Sequence, residues 1–486
     1  MSATNQPDQL SRRDALAIYL ILVSAFVVML NETVLNVALP QIMNDLRIEP
    51  SSGQWLSTAF MLTMAIVIPL SGWLLERFST RTVFFGAITM FSLGTAMAAL
   101  APGFIPLVIG RIVQAAGTGV MMPLLMTTVI TLVPLAQRGR MMGNMSIVMS
   151  VAPAVGPMLA GLVLSAFNWR WLFWLVLPIA LGSLLLGAKW LRNVTEQQRV
   201  PIDFSSVVLS AFAFGGLVFG LAGLAEAAQG TAIIAPWIPL LLGSAALGGF
   251  IWRQLRLQGR DAALLDLRVF RSRDFSVAIV LMMIWMAALF GTMILIPIYV
   301  QEVLGVGPLE TGLLLLPGGL LMGIAGPFVG RLYDRVGPRA LIVPGSIAAS
   351  ASLWAMGLLM SADAPIWVTL GCHIALSLSL ALLFTPLFTL SLGSVHPQLY
   401  PMGSAVIGTV QQLAGAAGTA LFIVIYTLAV LNSAGAGATP SPHDLGAGVH
   451  QAFLVGATIS VIAIAVSLFV PKVAPDPGGA GPAGFH

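Results

Sequence analysis

Across 486 residues this chain has one cysteine, two lysines and very little charge. The single thiol, Cys372, excludes a disulfide within the chain, and no Cys/His cluster has the spacing of a metal site. Lysine stands only at 189 and 472, neither in a G-x-x-x-x-G-K-[ST] phosphate loop, so a nucleotide-driven pump is disfavoured. Neither G-x-S-x-G nor H-E-x-x-H occurs, which leaves an intramembrane hydrolase without a nucleophile or a base. No metal, no cofactor and no enzyme activity are expected, and energy for any work must come from a gradient. Charged residues make up 8% of the chain, where soluble domains carry roughly 25%. The net charge of +4 is no nucleic-acid signal, because the basic residues alternate with apolar spans and form no continuous patch.

What fills the chain instead is apolar: 58% hydrophobic residues and a mean hydropathy of +0.96. Windows of about 20 apolar residues, long enough to cross a bilayer, fit fourteen times. They lie near 15–38, 54–75, 82–101, 104–130, 141–166, 171–191, 206–226, 233–252, 275–300, 310–332, 339–360, 365–391, 403–431 and 451–470. An all-α, multi-pass protein of the cell membrane follows. Glycine (50) and proline (30) are spread through the apolar segments, as in membrane helices that pack closely and bend. Arg12 and Arg13 precede an apolar run longer than a cleaved signal core and read as an inner-face anchor. With the N-terminus inside, nineteen basic residues fall on inward-facing segments, and Arg47 and Arg170 outside. That asymmetry orients the chain with both termini cytoplasmic.

Within the spans Glu32 is the one acid set well inside an apolar segment. A carboxylate at the centre of a membrane helix costs about 3 kcal/mol, so it marks either a titratable face on a cavity or a helix end reaching for water. Asn36 lies about 40° from Glu32 around the helix, with Asn31 and Thr33 about 100° to either side, leaving one polar face. Counted at 1.5 Å per residue, Glu32 stands roughly 25 Å from the inner face and Arg111 roughly 10 Å from the outer one. In a core about 30 Å thick the two share a level and could satisfy each other. Burial would favour a neutral carboxyl and a nearby guanidinium the carboxylate, and the sequence does not say which wins. Arg111 read alone could equally snorkel to the outer surface. Gln114, Gln411, Gln412 and His373 are further polar candidates for a substrate cavity.

A ten-residue pattern occurs twice. Gly72-Trp-Leu-Leu-Glu76-Arg77-Phe-Ser79-Thr-Arg81 closes the second span and Gly330-Arg-Leu-Tyr-Asp334-Arg335-Val-Gly337-Pro-Arg339 the tenth. A repeat over eight spans is two more than a six-helix unit needs. The expected architecture is therefore 6 + 2 + 6, with a bundle over 1–200, two inserted spans over 201–260 and a second bundle over 261–486.

These segments resemble the loop motif of the major facilitator superfamily, with Glu76 for the usual aspartate and Ser79 for glycine in the first copy. Leu30-Asn31-Glu32-Thr33-Val34-Leu35-Asn36-Val37-Ala38-Leu39-Pro40 resembles the first-span motif of its fourteen-span drug:proton antiporters, the EmrB/QacA-like branch, with Asn31 at the aspartate position and the acid moved to Glu32. Arg111-Ile-Val-Gln114-Ala115-Ala-Gly117 is similar to the fourth-span motif, and Ala152-Pro-Ala-Val-Gly156-Pro157-Met-Leu-Ala160-Gly161 to the antiporter motif of the fifth. The resemblance implies a proton-coupled exporter of hydrophobic, amphipathic or cationic drugs, with small-molecule substrate, protons and lipid as partners and accessory subunits left open. It implies Glu32 and Arg111 for proton coupling. For conformational switching it implies Gly72, Glu76, Arg77, Arg81, Gly330, Asp334, Arg335, Gly337 and Arg339, the acids serving as salt-bridge latches, with Gly156, Pro157 and Gly161 in a close helix seam. A metabolite transporter of the same fold, or a membrane receptor or scaffold, is the alternative.

Overall fold

A computed structural model describes residues 11–48, 50–193, 201–228, 232, 234–260, 262–361, 363–434 and 440–472. Arg199 of the inward-facing set and the polar residues ahead of Ser11 lie outside them, as does the side chain of Asn36. Among the described residues there is no strand. Fourteen helices are long and apolar enough to span a membrane: α1 Arg12–Leu46, α2 Pro50–Arg77, α3 Thr80–Ala99, α4 Phe104–Leu132, α5 Arg138–Ala166 and α6 Arg170–Trp190; α7 Phe204–Ala228 and α8 Trp237–Gln258; α9 Arg273–Val303, α10 Pro308–Val336, α11 Arg339–Leu359, α12 Ile366–Gly393, α13 Tyr400–Ala434 and α14 Pro442–Ser467. Helix is the form these runs must take, since lipid offers no partner to an unpaired backbone group.

The ends are set by short polar signals. Ser11, Ser79, Asp203 and Ser272 each accept a backbone N–H three residues on, and Ser441 with Asp444 makes a reciprocal cap. Several helices outrun their apolar windows, α1 and α14 the furthest. α1 continues to Leu46, where Arg47 turns left-handed (φ 53°) and returns its N–H to Met43, and α14 starts at Pro442 behind its cap. A hydropathy window stops at the first polar residues, whereas a helix carries on through the headgroup layer until a cap ends it.

Two sets of helices pack in the same pattern: α1 with α4, α5 and α6, and α9 with α12, α13 and α14; α3 with α4 and α6, and α11 with α12 and α14. Between the sets, α5 lies on α10 and α12, and α13 on α2 and α4. Helices α7 and α8 pair closely, Gly216 meeting the backbone of Gly243, and α7 rests on both α2 and α13. At the foot of this pair Arg253 grips Asp203 with two hydrogen bonds of 2.6 and 2.8 Å, holding that carboxyl well below the usual range. Apolar side chains such as Leu185, 76% exposed, cover the outside, as they do where lipid replaces water.

Candidate functional site

The site grows from the crossing of α3 and α4. Gly94, Gly110 and Gly117 let these helices meet backbone to backbone, since a Cβ on any of them would run into main chain of the other helix. The close approach walls in two polar side chains on α4: Arg111 is 1% exposed and Gln114 is fully buried. Arg111 Nη1 donates to Gln114 Oε1 at 2.6 Å and to Asn31 Oδ1 on α1 at 3.3 Å, and its guanidinium lies 3.9 Å above the Phe60 ring of α2. Gln114 Nε2 donates in turn to Thr95 Oγ1 at 2.8 Å, and Thr95 to the Phe91 carbonyl at 2.6 Å. Arg111 Nε is buried with no partner. This guanidinium points inward, so the snorkelling alternative does not apply.

Both side chains that touch Arg111 through hydrogen bonds are neutral. Glu32, half-buried on the next position of α1, lies near enough for its charge to interact with Arg111. Yet the ion pairs within 4.0 Å among the described residues are Arg170–Asp45, Arg253–Asp203 and Arg268–Asp266. Glu32 and Arg111 share a level, and it is Asn31 that takes the arginine contact: two consecutive helix residues diverge by 100°, so only one can face α4. The result is a confined cation held by amides, with a carboxyl beside it that is free of direct pairing to it. Such a carboxyl can gain or lose a proton without the arginine losing its ligands.

The other candidates are placed elsewhere. Gln411 and Gln412 are half-buried on α13. His373 on α12 is buried against Gly318 of α10, and its Nε2–H donates to the Leu315 carbonyl at 3.2 Å, which leaves Nδ1 as an unpartnered acceptor. Gly156 of α5 faces Thr33 of α1, where a Cβ would strike the threonine hydroxyl; nothing stands within 4 Å of a Cβ at Gly161, and Pro157 is half-buried beside them. An apolar cavity of about 410 Å³ opens between α7, α9, α13 and α14, bordered by Leu217, Met283, Leu413 and Phe422.

At the end bearing the repeated loops, the acid of the second copy finds a partner the sequence did not suggest. Asp334 Oδ1 accepts the Gly139 N–H at 2.9 Å and Oδ2 the Arg140 N–H at 3.1 Å, so it caps the start of α5. No arginine pairs with it among the described residues: Arg335 on its own helix is exposed, and the positive end of α5 supplies both donors. A helix N-terminus, in place of the expected salt bridge, holds this carboxylate. Gly337 follows with φ 79°, turning the chain toward Arg339, which is half-buried. In the first copy Glu76 is half-buried and Arg77 exposed, and Arg81 Nη2 reaches the Ala188 carbonyl at 3.0 Å.

Two features escaped sequence reasoning. Gly319, Gly323, Gly326 and Gly330 form a stripe on α10 against which α5 lies, with Gly326 on Gly143 and Gly330 on Gly139 in backbone contact. Their spacing was a visible signal of close packing, though it does not name the partner helix. At the other end Asp45 accepts from Trp169 Nε1 and from Arg170 Nη1, both at 2.9 Å, and Arg170 Nη2 caps the Ala101 carbonyl at 3.0 Å. These donors, Arg170 first, hold the Asp45 carboxyl below the usual carboxylate range.

The chain as a whole is similar to known proteins. Residues 21–419 match the family model of the Major Facilitator Superfamily. The lincomycin resistance protein LmrB of Listeria monocytogenes is 38% identical over 455 residues, covering 93% of this chain and 95% of that protein. The LmrB of Bacillus subtilis is 35% identical over 463 residues, 94% and 95% of the two chains. The multidrug resistance protein B homolog of Mycobacterium tuberculosis is 29% identical over 477 residues, 90% and 87%. Among solved structures, the crystal structure of the human organic anion transporter MFSD10 (TETRAN) superposes with a TM-score of 0.68 at 14% identity, covering 95% of this chain and all of that one, a likeness of fold.

Proposed function

Because the chain belongs to the Major Facilitator Superfamily, we propose that this multi-pass transporter exports hydrophobic or amphipathic drugs, cationic ones included, by alternating access in exchange for protons. The names carried by its relatives support drug export, with lincomycin the first compound to test. The basic-residue asymmetry supports a chain with both termini and the repeated loops on the cytoplasmic side, and the helix packing supports two six-helix bundles joined by α7 and α8.

The observation that carries proton coupling is Glu32 beside an arginine whose hydrogen-bonding ligands are Asn31 and Gln114. Protonation neutralises the carboxyl and removes its pull on Arg111, and deprotonation restores it. Either step changes the balance of charge at the interface of α1 and α4 without breaking the amide contacts. A drug held near Glu32 competes with the proton for the same carboxylate, which ties proton uptake from outside to drug release there. Gln411, Gln412 and His373 supply polar contacts to the drug on this reading, and Asp334, bound to the start of α5, ties the two helix sets together at the cytoplasmic end.

Glu32→Gln keeps size and hydrogen bonding but cannot titrate. We expect it to abolish drug efflux driven by an imposed pH difference in vesicles, while counterflow of drug against drug survives. Efflux at the unmodified rate would remove Glu32 from the mechanism.

A further inference from the structure

The register that lays Gly72 on Gly330 and Glu76 on Asp334 also lays Thr127 on Thr385 and Ser146 on Ser404. Those four residues make two hydrogen bonds between the helix sets, Thr127 Oγ1 to Ser404 Oγ at 3.0 Å and Ser146 Oγ with Thr385 Oγ1 at 2.7 Å. They are one contact made twice, α4 on α13 and α5 on α12, and all four side chains are buried. A symmetric pair of hydroxyl clasps thus closes the end that bears the repeated loops.

The packing beside the two clasps is not symmetric. Next to Ser146–Thr385, helices α5 and α10 touch through backbone, Gly143 on Gly326 and Gly139 on Gly330, and Asp334 holds two N–H groups of α5. Next to Thr127–Ser404, helices α2 and α13 touch chiefly through side chains: a Cβ on Gly72 would stand 2.9 Å from Met402 Sδ and 3.2 Å from Ala405 Cβ, with the Pro401 carbonyl farther off at 3.5 Å, and one on Gly408 2.9 Å from Ile68 Cγ2. The register maps Gly139 and Arg140, the donors to Asp334, onto Pro397 and Gln398, and a proline has no N–H to give. Beside this second seam lies α7, whose π-helical turn at Ala211–Gly215 faces α2, Gly215 standing near Leu62 and Ile66; farther along, toward the opposite end of α2, Phe219 stacks on Trp55 at 6.2 Å.

We propose that the gate opens on one side: the glycine-to-glycine seam of α5 and α10 is the pivot, the seam of α2 and α13 parts, and α7 is a strap across the parting side. Close backbone contact has little room to slide, whereas methionine and isoleucine side chains repack at small cost as helices separate. The π-turn gives the strap a place to flex.

The inference rests on the alternating-access reading, and its test separates the two. In a Cys372→Ser parent, the pairs Thr127→Cys with Ser404→Cys and Ser146→Cys with Thr385→Cys place sulfurs where hydroxyls now hydrogen-bond, within reach of a disulfide. Oxidation of the first pair is expected to stop lincomycin efflux from vesicles until reductant restores it. Oxidation of the second is expected to leave most of the rate. Equal inhibition by both disulfides, or stronger inhibition by the second, would overturn the proposal. The single variants Thr127→Cys and Ser146→Cys give a readout that does not depend on drug flux: under a pH difference, with or without lincomycin, N-ethylmaleimide should modify position 127 several-fold faster than 146. Equal rates would also overturn it. A parent that fails to export lincomycin speaks against the drug-export reading, and the labelling rates still decide the pivot.

Discussion

Arg111 is fixed by what cannot ionise, and that governs what a carboxylate at position 31 would do. Asn31→Asp puts an anion at the 3.3 Å contact, in the place where the drug:proton antiporters carry their acid. If the proton needs only a titratable carboxyl next to Arg111, then Asn31→Asp combined with Glu32→Gln should regain pH-driven drug efflux that Glu32→Gln alone lacks. A double variant as inactive as the single one would mean that Glu32 acts through its own position and not through Arg111. At the opposite surface the Asp45 cluster makes a prediction about pH. Its folded-state pKa lies below the ordinary one, so its stabilising effect is present above about pH 4 and is lost as pH falls through the depressed value. Both partners of this pair are partly exposed, so the ion pair itself contributes about 1 kcal/mol or less. Asp45→Ala should therefore lower the melting temperature in detergent modestly at pH 7, by an amount that shrinks toward zero as the pH is taken well below the carboxylate range. The Glu32 position stands out in the sequence because a lone acid in an apolar run is conspicuous. The Asn31–Arg111 contact does not, because it depends on how far α4 is rotated and on a guanidinium that turns toward Gln114 one turn along.

Helix α10 is where element-scale packing and the Asp334 contact coincide. A methyl group at Gly330 would collide with the Gly139 carbonyl, and neither backbone can yield without separating α5 from α10 and pulling Asp334 from its two donors. Gly161 faces open space. Gly330→Ala should consequently raise the solvent accessibility of a cysteine at Ser146 and depress efflux, while Gly161→Ala should leave both unchanged. Matching behaviour of the two alanine variants would refute the clasp. Fourteen spans and the repeated loop were legible because length and local motif carry them. The helices facing each other were not, since a glycine stripe announces a close neighbour without naming it, and the partner of Asp334 is a backbone that any sequence provides.

For the molecule as a whole, the charge carried per cycle follows from how many carboxyls titrate inside the membrane. Glu32 sits within α1, whereas Glu76, Asp334, Glu226 and Glu302 stand near the ends of their spans. If Glu32 alone carries the proton, as proposed above, one proton enters per cycle. Export of a neutral drug against one entering proton then moves one positive charge inward, and export of a monovalent cationic drug moves none. A charge crossing 100 mV gains about 2.3 kcal/mol, roughly a fifty-fold gradient. In vesicles holding a potassium-set potential of about 100 mV, negative on the side from which drug leaves, and no pH difference, a neutral drug should be driven toward that gradient and a permanently monocationic one should respond weakly or not at all. Replacing the potential by a pH difference alone should drive both. An equally steep voltage response from the cationic drug would require a second proton, and the unpartnered Nδ1 of His373, buried on the other helix set, would be the first place to look for it.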